Sequence, residues 1–235
     1  MRKIKDDWEK MYYDRPDLYE ELKSAEDKKN VILKFLLKKA SFKNKAVLDV
    51  GSGTLTYPIL LSKYCRKIYA IEPSQPMIDI GEKNIEKLGL KNIEAIRGKV
   101  EKIPLSSNSV DIVMSTWGFL QYSVNIKKGM KEILRVLKKH GKIFIVDTDF
   151  NGEFMEIWRK TKRNSIMGDI LNRHLSLLDI HKFKKYKLKT SFDYPSVKKA
   201  AQIMGFVFGN KFRNYLVKSK KSKINMDISV FYGVK

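Results

Sequence analysis

Short apolar runs alternate with helical patterns through the middle of the chain. The runs predict strands, and the stretches between them carry apolar residues near a 3.6-residue period, which predicts helices. Strands that alternate with helices are typical of a parallel sheet covered by helices on both faces. The predicted strands lie near residues 46–50, 67–71, 92–96, 110–115 and 142–148, and the predicted helices near 56–64, 76–88 and 126–138.

The flanking segments have other patterns. Residues 17–40 predict one long helix, and residues 153–189 are mostly helical in pattern and rich in lysine. Further elements follow from turn signals and alternation: a short helix at 196–204, an apolar run at 206–208 opened by Gly205, an exposed hairpin loop at 218–223, a final alternating strand at 224–234, and a helix-end turn at His140 and Gly141.

The most informative chemical signal follows the first predicted strand. That strand ends in Asp49-Val50, and Gly51, Ser52 and Gly53 follow before a helical pattern begins. Glycine lets the backbone turn tightly and lets a ligand lie directly against the main chain. A strand, a glycine loop and a helix in this order are typical of nucleotide-binding folds.

The carboxylates near this loop indicate which ligand it suits. A dinucleotide would place its pyrophosphate close to Asp49, where the charge has the wrong sign, and Thr56 stands where the dinucleotide fingerprint has its third glycine. S-adenosylmethionine (SAM) carries a sulfonium and an ammonium instead of phosphate. Glu72, at the end of the second strand, suits the ribose hydroxyls of either ligand. The alternative is a parallel-sheet loop that binds no ligand.

The ordered motifs of residues 43–150 resemble those of class I SAM-dependent methyltransferases, and most closely the type-11 family that includes quinone-biosynthesis enzymes. The matching segments are Asp49-Val50-Gly51-Ser52-Gly53-Thr54, Ile71-Glu72-Pro73-Ser74 with Met77, residues 98–105, residues 108–113, and residues 132–138 with Gly141.

This resemblance implies a Rossmann-like α/β fold with a seven-stranded, mostly parallel sheet, an antiparallel last strand and a helical lid inserted after strand five. It implies SAM as the cofactor and S-adenosylhomocysteine as its product. The residues expected at the cofactor are Asp49, Gly51, Ser52, Gly53, Glu72, Pro73, Met77, Lys99, Val100, Glu101, Ser115, Trp117 and Tyr13.

Two positions depart from the family pattern. Leu55 stands where the family usually has glycine, which brings a side chain near the methionine part of the cofactor. Lys99 stands where the family usually has an aspartate that receives the adenine amino group, and lysine cannot accept a hydrogen bond. Adenine would then be held by main-chain groups near Val100, by Glu101, or by apolar packing.

Methyl transfer from SAM needs few acid–base groups, because the cofactor supplies the reactivity and the protein positions the reactants. His174, His181 and Tyr122 are the candidate bases; the alternative for the two histidines, which we favour, is that they are ordinary surface or packing residues. Trp8, Tyr12 and Tyr13 form an aromatic cluster that either covers the sulfonium or packs the N-terminal helix on the sheet.

The length of 235 residues favours one domain. We expect a helical cap at 1–42, a SAM-binding core at 43–150, a lid at 151–195 and C-terminal strands at 196–235. Cys65 is the only cysteine and the three histidines lack metal-ligand spacing, so we expect neither disulfide nor metal site. No apolar stretch is long enough to span a bilayer and no signal peptide is evident, which favours a cytoplasmic protein.

The net charge of +22 raises the question of a nucleic-acid partner. Lysine outnumbers arginine 39 to 9, whereas base and phosphate recognition favours arginine. Residues 151–223 hold 18 basic and 5 acidic residues, a net charge of +13. We therefore expect a small-molecule acceptor, with an RNA or protein methyltransferase that docks through 151–223 as the first alternative.

Two further alternatives complete the set. An inactive SAM-binding protein is suggested by Leu55 and Lys99, and an NAD oxidoreductase is disfavoured by Asp49 and Thr56. The stretch Ser115-Thr116-Trp117-Gly118 lacks the Asn/Asp-Pro-Pro-aromatic tetrapeptide that holds a nucleobase amine in many DNA and RNA methyltransferases. Monomer and homodimer are equally compatible with the sequence.

Overall fold

The computed structural model describes residues 14–161, 177–179 and 181–235. Trp8, Tyr12, Tyr13 and His174 lie outside these residues, so the predictions made for them stay predictions.

One sheet of seven strands organises the described residues. Its spatial order is β3-β2-β1-β4-β5-β7-β6, and the first five of these strands are parallel neighbours. The last strands run antiparallel, as the predicted fold class required. The strands are β1 Ala46–Val50, β2 Lys67–Glu72, β3 Ile93–Arg97, β4 Val110–Thr116, β5 Leu137–Thr148, β6 Lys184–Asp193 and β7 Lys223–Val234.

Helices connect the strands, as the alternating pattern predicted. They are α1 Pro16–Ala25, α2 Val31–Lys39, α3 Thr56–Leu61, α4 Gln75–Lys87, α5 Phe119–Tyr122, α6 Ile126–Val136, α7 Glu153–Thr161, α8 Val197–Phe208 and α9 Asn210–Lys218. A 3₁₀ turn at Ser62–Tyr64 follows α3.

The strand order puts the switch point of the sheet at β1. All five residues of β1 are buried, which explains why its sequence is almost continuously apolar. The chain leaves β1 toward β2 and β3 on one side and later returns to β4 on the other. In open sheets with parallel strands, ligands bind outside the carboxyl ends of the strands at such a switch point.

The described chain divides into two compact units. The motif unit comprises residues 33–147, 177–179, 181–186 and 229–235, and it contains β1 to β4. The aromatic unit comprises residues 14–32, 148–161 and 187–228. Its core includes a cluster of mutually packed rings from Phe154, Trp158, Phe192, Phe208 and Phe212.

The single helix predicted at 17–40 is wrong. The structure has α1 and α2, separated by a turn in which Asp27 adopts a left-handed backbone (φ 48°). Asp27 accepts hydrogen bonds from the backbone N–H groups of Val31 and Ile32, both at 2.9 Å, and so caps the second helix. The apolar residues of both helices follow a helical period, which hid the break.

The helical pattern predicted for 153–189 is correct for α7 and wrong from Lys184 onward, where β6 begins. The C-terminal strands expected at 196–235 are also largely wrong, because α8 and α9 occupy residues 197–218. The apolar run 206–208 ends α8, and residues 218–223 connect a helix to β7 instead of two strands. The final strand was predicted correctly.

His140 and Gly141 do not form a helix-end turn. They lie within β5, where the pairing shifts from Val110–Leu137 to Ile112–Lys142. His140 has a left-handed backbone (φ 61°) and its N–H donates to the carbonyl of Lys235. The extra residues form an irregularity in the strand, which explains why the sequence resembled a turn.

Among the described residues, no helix combines the length and the apolar character that crossing a membrane would need.

Candidate functional site

The loop after β1 turns on two glycines. Gly51 (φ 72°) and Gly53 (φ 54°) have left-handed backbones, and the N–H groups of Gly51 and Ser52 both donate to the carbonyl of Ile71 at the end of β2. A Cβ atom on Gly51 would lie 2.9 Å from the Cα of Gly118. Only glycine fits at position 51, because both its backbone conformation and its neighbour exclude a side chain.

Glu72 fixes this loop to the second strand. One carboxylate oxygen accepts from the N–H of Gly53 and the other from the N–H of Ser74, both at 2.9 Å. The side chain is buried, and burial raises the pKa of the Glu72 carboxyl, while the two N–H donors lower it in part. Each oxygen retains a lone pair that can accept a hydrogen bond from a ligand hydroxyl.

Asp49 brings a second carboxylate to the same loop. It lies in β1, opposite Ala70 of β2 and Met114 of β4, and is 1% exposed. The hydroxyl of Ser52 donates to its backbone carbonyl at 3.0 Å. Two buried carboxylates therefore belong to the segments that meet at the loop, which favours a ligand with hydroxyl and cationic groups over one with a pyrophosphate.

Ser115 joins the ends of β1 and β4. Its hydroxyl donates to the carbonyl of Val50 at 2.7 Å and accepts from the N–H of Phe119 at 2.9 Å. Because its hydroxyl proton is already donated to Val50, Ser115 acts as a brace that fastens the end of β1 to the start of α5. Trp117 follows with a left-handed backbone (φ 55°), and its N–H donates to the carbonyl of Val146.

The segment after β3 holds three more of the expected residues. Lys99 is exposed and Val100 is buried. One oxygen of Glu101 accepts from the hydroxyl of Ser123 and from the N–H groups of Val124 and Asn125, at 2.8 to 3.0 Å. Burial raises the pKa of the Glu101 carboxyl, but these donors outweigh it and hold the pKa below its ordinary value.

Glu101 thus ties the segment after β3 to the turn before α6. Among the remaining expected residues, Pro73 is exposed and Met77 is fully buried in the first turn of α4.

Leu55 does not point into open space. It caps the start of α3 with a left-handed backbone (φ 64°) and is fully buried. Its side chain lies against Gly81 of α4, where an added Cβ would be 2.3 Å from the Leu55 Cγ. The glycine in α4 makes room for the leucine that replaces a glycine in the loop.

The candidate bases are only partly placed. His181 is partly exposed, and its N–H donates to the carbonyl of Leu177 in the turn before β6. Tyr122 is the last residue of α5, but its side chain is not among the parts that the structure describes. His174 lies outside the described residues.

Sequence reasoning missed two features near the strand ends. A Cβ atom on Gly118 would lie 2.8 Å from the carbonyl of Val50, so this glycine permits the close approach of the β1 and β4 loops. Asp147, near the end of β5, is 2% exposed and accepts a hydrogen bond from the side-chain amide of Gln121. A glycine after strand four and an acid near the end of strand five were the available signals.

No group of three His, Cys, Asp or Glu side chains in the described part of the chain is arranged to hold a metal ion.

Comparison with known proteins identifies the central segment. Residues 48–145 match the family model described as a methyltransferase domain, of type 11. This segment is similar to the type-11 methyltransferase domains, and we call residues 48–145 the methyltransferase domain. The methyltransferase domain includes the glycine loop, Glu72 and the ends of β1 to β4, so the family match covers almost every expected cofactor residue.

Relatives of the methyltransferase domain differ in their named acceptors. The chain is 28% identical to a demethylmenaquinone methyltransferase of Bacillus mycoides over 56% of this chain and 61% of that protein. It is 44% identical to protein arginine N-methyltransferase 1 of Oryza sativa subsp. indica, over 32% of this chain and 20% of that protein. The chain therefore spans less than two thirds of these relatives.

A solved structure shares the overall architecture. A SAM-dependent methyltransferase from Aquifex aeolicus matches 93% of this chain and 97% of its own with a TM-score of 0.58 at 22% identity. At that identity the likeness concerns the fold, which is the seven-stranded methyltransferase fold expected from the sequence.

Proposed function

We propose that the protein transfers the methyl group of SAM to a small-molecule acceptor. The observation that carries the cofactor assignment is the Glu72 carboxylate, held against the glycine loop by the N–H groups of Gly53 and Ser74. A carboxylate fixed in this way can receive two vicinal hydroxyls without losing its own anchors.

The residues present fit the chemical groups of SAM. Glu72 would accept from the ribose hydroxyls, Asp49 would face the cationic amino-acid part, and Val100 and Met77 would offer apolar surface to the adenine. Lys99 is exposed and has no acceptor for the adenine amino group. Adenine recognition would therefore rest on main-chain groups and packing.

SAM supplies an activated methyl group when bound. The role of the chain is then to hold the cofactor and the acceptor in line and to exclude water. The brace formed by Ser115 and the close contact of Gly51 with Gly118 fix the glycine loop against the end of β4. Asp147, held by Gln121, is a carboxylate of the same unit that could orient an acceptor or take up a proton.

A small acceptor is supported by three observations. Lysine dominates the positive charge, the stretch Ser115–Gly118 lacks the motif that holds a nucleobase amine, and one relative is named a demethylmenaquinone methyltransferase. The lysines at positions 185, 187 and 189 are exposed on β6, which ends the sheet. Lysine on an edge strand opposes pairing with other sheets, so these charges have a role without RNA.

The first alternative is an RNA or protein methyltransferase. The net charge of +13 over residues 151–223 and the match to a protein arginine methyltransferase favour it. The second alternative is an inactive SAM-binding protein, favoured by Lys99. Leu55, the other argument for an inactive protein, carries less weight because its side chain lies against Gly81.

Transfer of a radioactive methyl group from SAM separates these possibilities. The purified protein is incubated with labelled SAM and, separately, a small-molecule extract, total tRNA and a protein extract. We expect label in the small-molecule fraction alone. Label in tRNA or protein would replace the proposal with the first alternative, and SAM binding without any transfer would favour the second. Glu72→Ala is the matched negative control.

A further inference from the structure

A polar cleft of about 510 Å³ lies in the aromatic unit, and none of its lining residues belongs to the methyltransferase domain. Its walls come from the turn before α2, the start of α7, the second half of β6 and the first residues of β7. The volume falls within the range of small-molecule sites, about 300–1,000 Å³.

Four lysines line this cleft: Lys28, Lys29, Lys189 and Lys223. All four are exposed, and none has an ion pair or a side-chain hydrogen bond among the described residues. Four ammonium groups that share one concave surface without a direct ion pair create a positive potential beside them, which an anionic group of a ligand would neutralise.

The wall at α2 and β6 is held by Asp27. This buried carboxylate accepts from the N–H groups of Val31 and Ile32 and from the hydroxyl of Thr190 at 2.7 Å. Asp27 therefore occupies the amides at the start of α2, and the helix terminus is not available to an anion. The lysines provide the positive groups of the cleft.

The wall at α7 and β7 is held by Glu153. Its carboxylate accepts from the ammonium of Lys221 and from both the backbone and the side-chain N–H groups of Asn225. Glu153 is thereby neutralised. Next to it, Gly152 (φ 86°) lies against the Asp227 side chain, where a Cβ would be 2.9 Å from the Asp227 Cγ. The cleft is thus pre-formed on both sides.

Two lining carboxylates, Asp193 and Asp227, remain beside the lysines and the Ser191 hydroxyl. A simple inorganic anion would use the ammonium groups but would face these carboxylates with like charge. A ligand that carries hydroxyls beside its phosphate would use both sets, because carboxylates accept hydrogen bonds from hydroxyls. We propose that the cleft binds a small phosphorylated polyol of the sugar-phosphate class.

Calorimetry with ribose 5-phosphate, inorganic phosphate and ribose at low ionic strength tests this proposal. We expect saturable one-to-one binding of ribose 5-phosphate, at least tenfold weaker binding of phosphate, and no binding of ribose at the same concentrations. Binding should weaken as NaCl rises from 20 to 200 mM, because salt screens exposed charges.

Matched lysine variants locate the site. The triple variant Lys28→Gln, Lys189→Gln and Lys223→Gln should lose at least tenfold in affinity for ribose 5-phosphate. The control triple variant Lys211→Gln, Lys218→Gln and Lys220→Gln removes the same charge from exposed positions outside the cleft and should stay within twofold. Thermal unfolding verifies that both variants are folded, and the single Lys189→Gln variant replaces the first triple if it is not.

Three results would overturn the proposal. Equal losses in the two triple variants would mean that only the overall charge attracts the ligand. Equal affinity for phosphate and ribose 5-phosphate would mean that the sugar hydroxyls do not contribute to binding. Absence of saturable binding of ribose 5-phosphate, with tight binding of total tRNA, would make the cleft part of an RNA-binding surface.

Discussion

At the scale of single residues, Glu72 combines two opposing demands. It is buried, which disfavours its charge, yet it serves two backbone N–H donors and is expected to bind the ribose as an anion. Burial is the larger influence and raises the pKa of Glu72 above its ordinary 4.5, with the N–H groups of Ser74 and Gly53 as partial compensation.

This raised pKa gives a signed prediction for stability. The folded protein holds the Glu72 proton more tightly than the unfolded chain, so the stabilising contribution is full below pH 4.5 and is lost as pH rises through the raised pKa. Glu72→Gln cannot lose this proton. The free energy of unfolding of the variant minus that of wild type should therefore grow as pH rises from 4.5 to 7. Urea unfolding measures this difference. The exposed Glu82→Gln is the control, and a difference that does not change with pH would refute the prediction.

Leu55 and Gly81 are a second pair of interest at this scale, because the leucine side chain fills the space that a side chain at position 81 would need. Gly81→Ala places a methyl group against the Leu55 side chain and should cost about 1–3 kcal/mol. Leu55→Gly removes the obstacle and relieves the left-handed backbone. In the double variant, the alanine should cost much less than in wild type, as urea unfolding would show. Additive costs would mean that the two residues do not share this space.

Cys65 reports on local opening of the structure. Its thiol is buried and donates to the carbonyl of Leu61, and burial raises its pKa to about 11. Since the thiolate is the reactive form, Ellman's reagent at pH 8 should label the native protein slowly and the urea-unfolded protein at once. Rapid stoichiometric labelling of the native protein would contradict the observed burial.

At the scale of elements, Asp27 determines where two helices separate. Asp27→Ala removes acceptors from three donors and should cost about 1–3 kcal/mol, whereas the exposed Asp17→Ala should cost less than about 0.5 kcal/mol. Chemical denaturation measures both. A cost for Asp27→Ala as small as that of Asp17→Ala would show that the cap does not hold α2.

The elements that sequence predicted well are those with buried apolar runs. β1 was predicted at its observed bounds, and the starts of β2 and β4 were also correct, because parallel strands covered on both faces are continuously apolar. β6 was missed because its exposed side carries lysines and only Phe192 is fully buried. The strand does have a local signal, because exposed Lys185, Lys187 and Lys189 alternate with the half-buried Tyr186, Leu188 and Thr190, but the lysine-rich composition had favoured a helix.

Other errors have similar origins. α8 was predicted too short, because the adjacent apolar residues 206–208 look like a strand until Ala200, Met204 and Val207 are seen to lie on one buried helical face. For the site, the sequence names the glycine loop and both carboxylates, and their role toward a cofactor stays a prediction. The anchoring of Glu72 by Gly53, the brace at Ser115 and the compensation of Leu55 by Gly81 are three-dimensional contacts and could not be predicted.

At the scale of the whole molecule, the positive charge and the cofactor chemistry are separable. The net charge of +22 would attract any anion weakly, while the buried carboxylates of the glycine loop would select a ligand without phosphate. A binding measurement that contrasts cationic and phosphate-bearing cofactors therefore tests the central claim.

That measurement is calorimetry of the protein with S-adenosylhomocysteine, SAM and NAD. We expect one-to-one binding of SAM and S-adenosylhomocysteine and poor binding of NAD. Glu72→Ala should weaken S-adenosylhomocysteine binding by about 2–4 kcal/mol, because both ribose hydroxyls lose their acceptor. Tighter binding of NAD than of S-adenosylhomocysteine, or an unchanged dissociation constant in Glu72→Ala, would contradict the account.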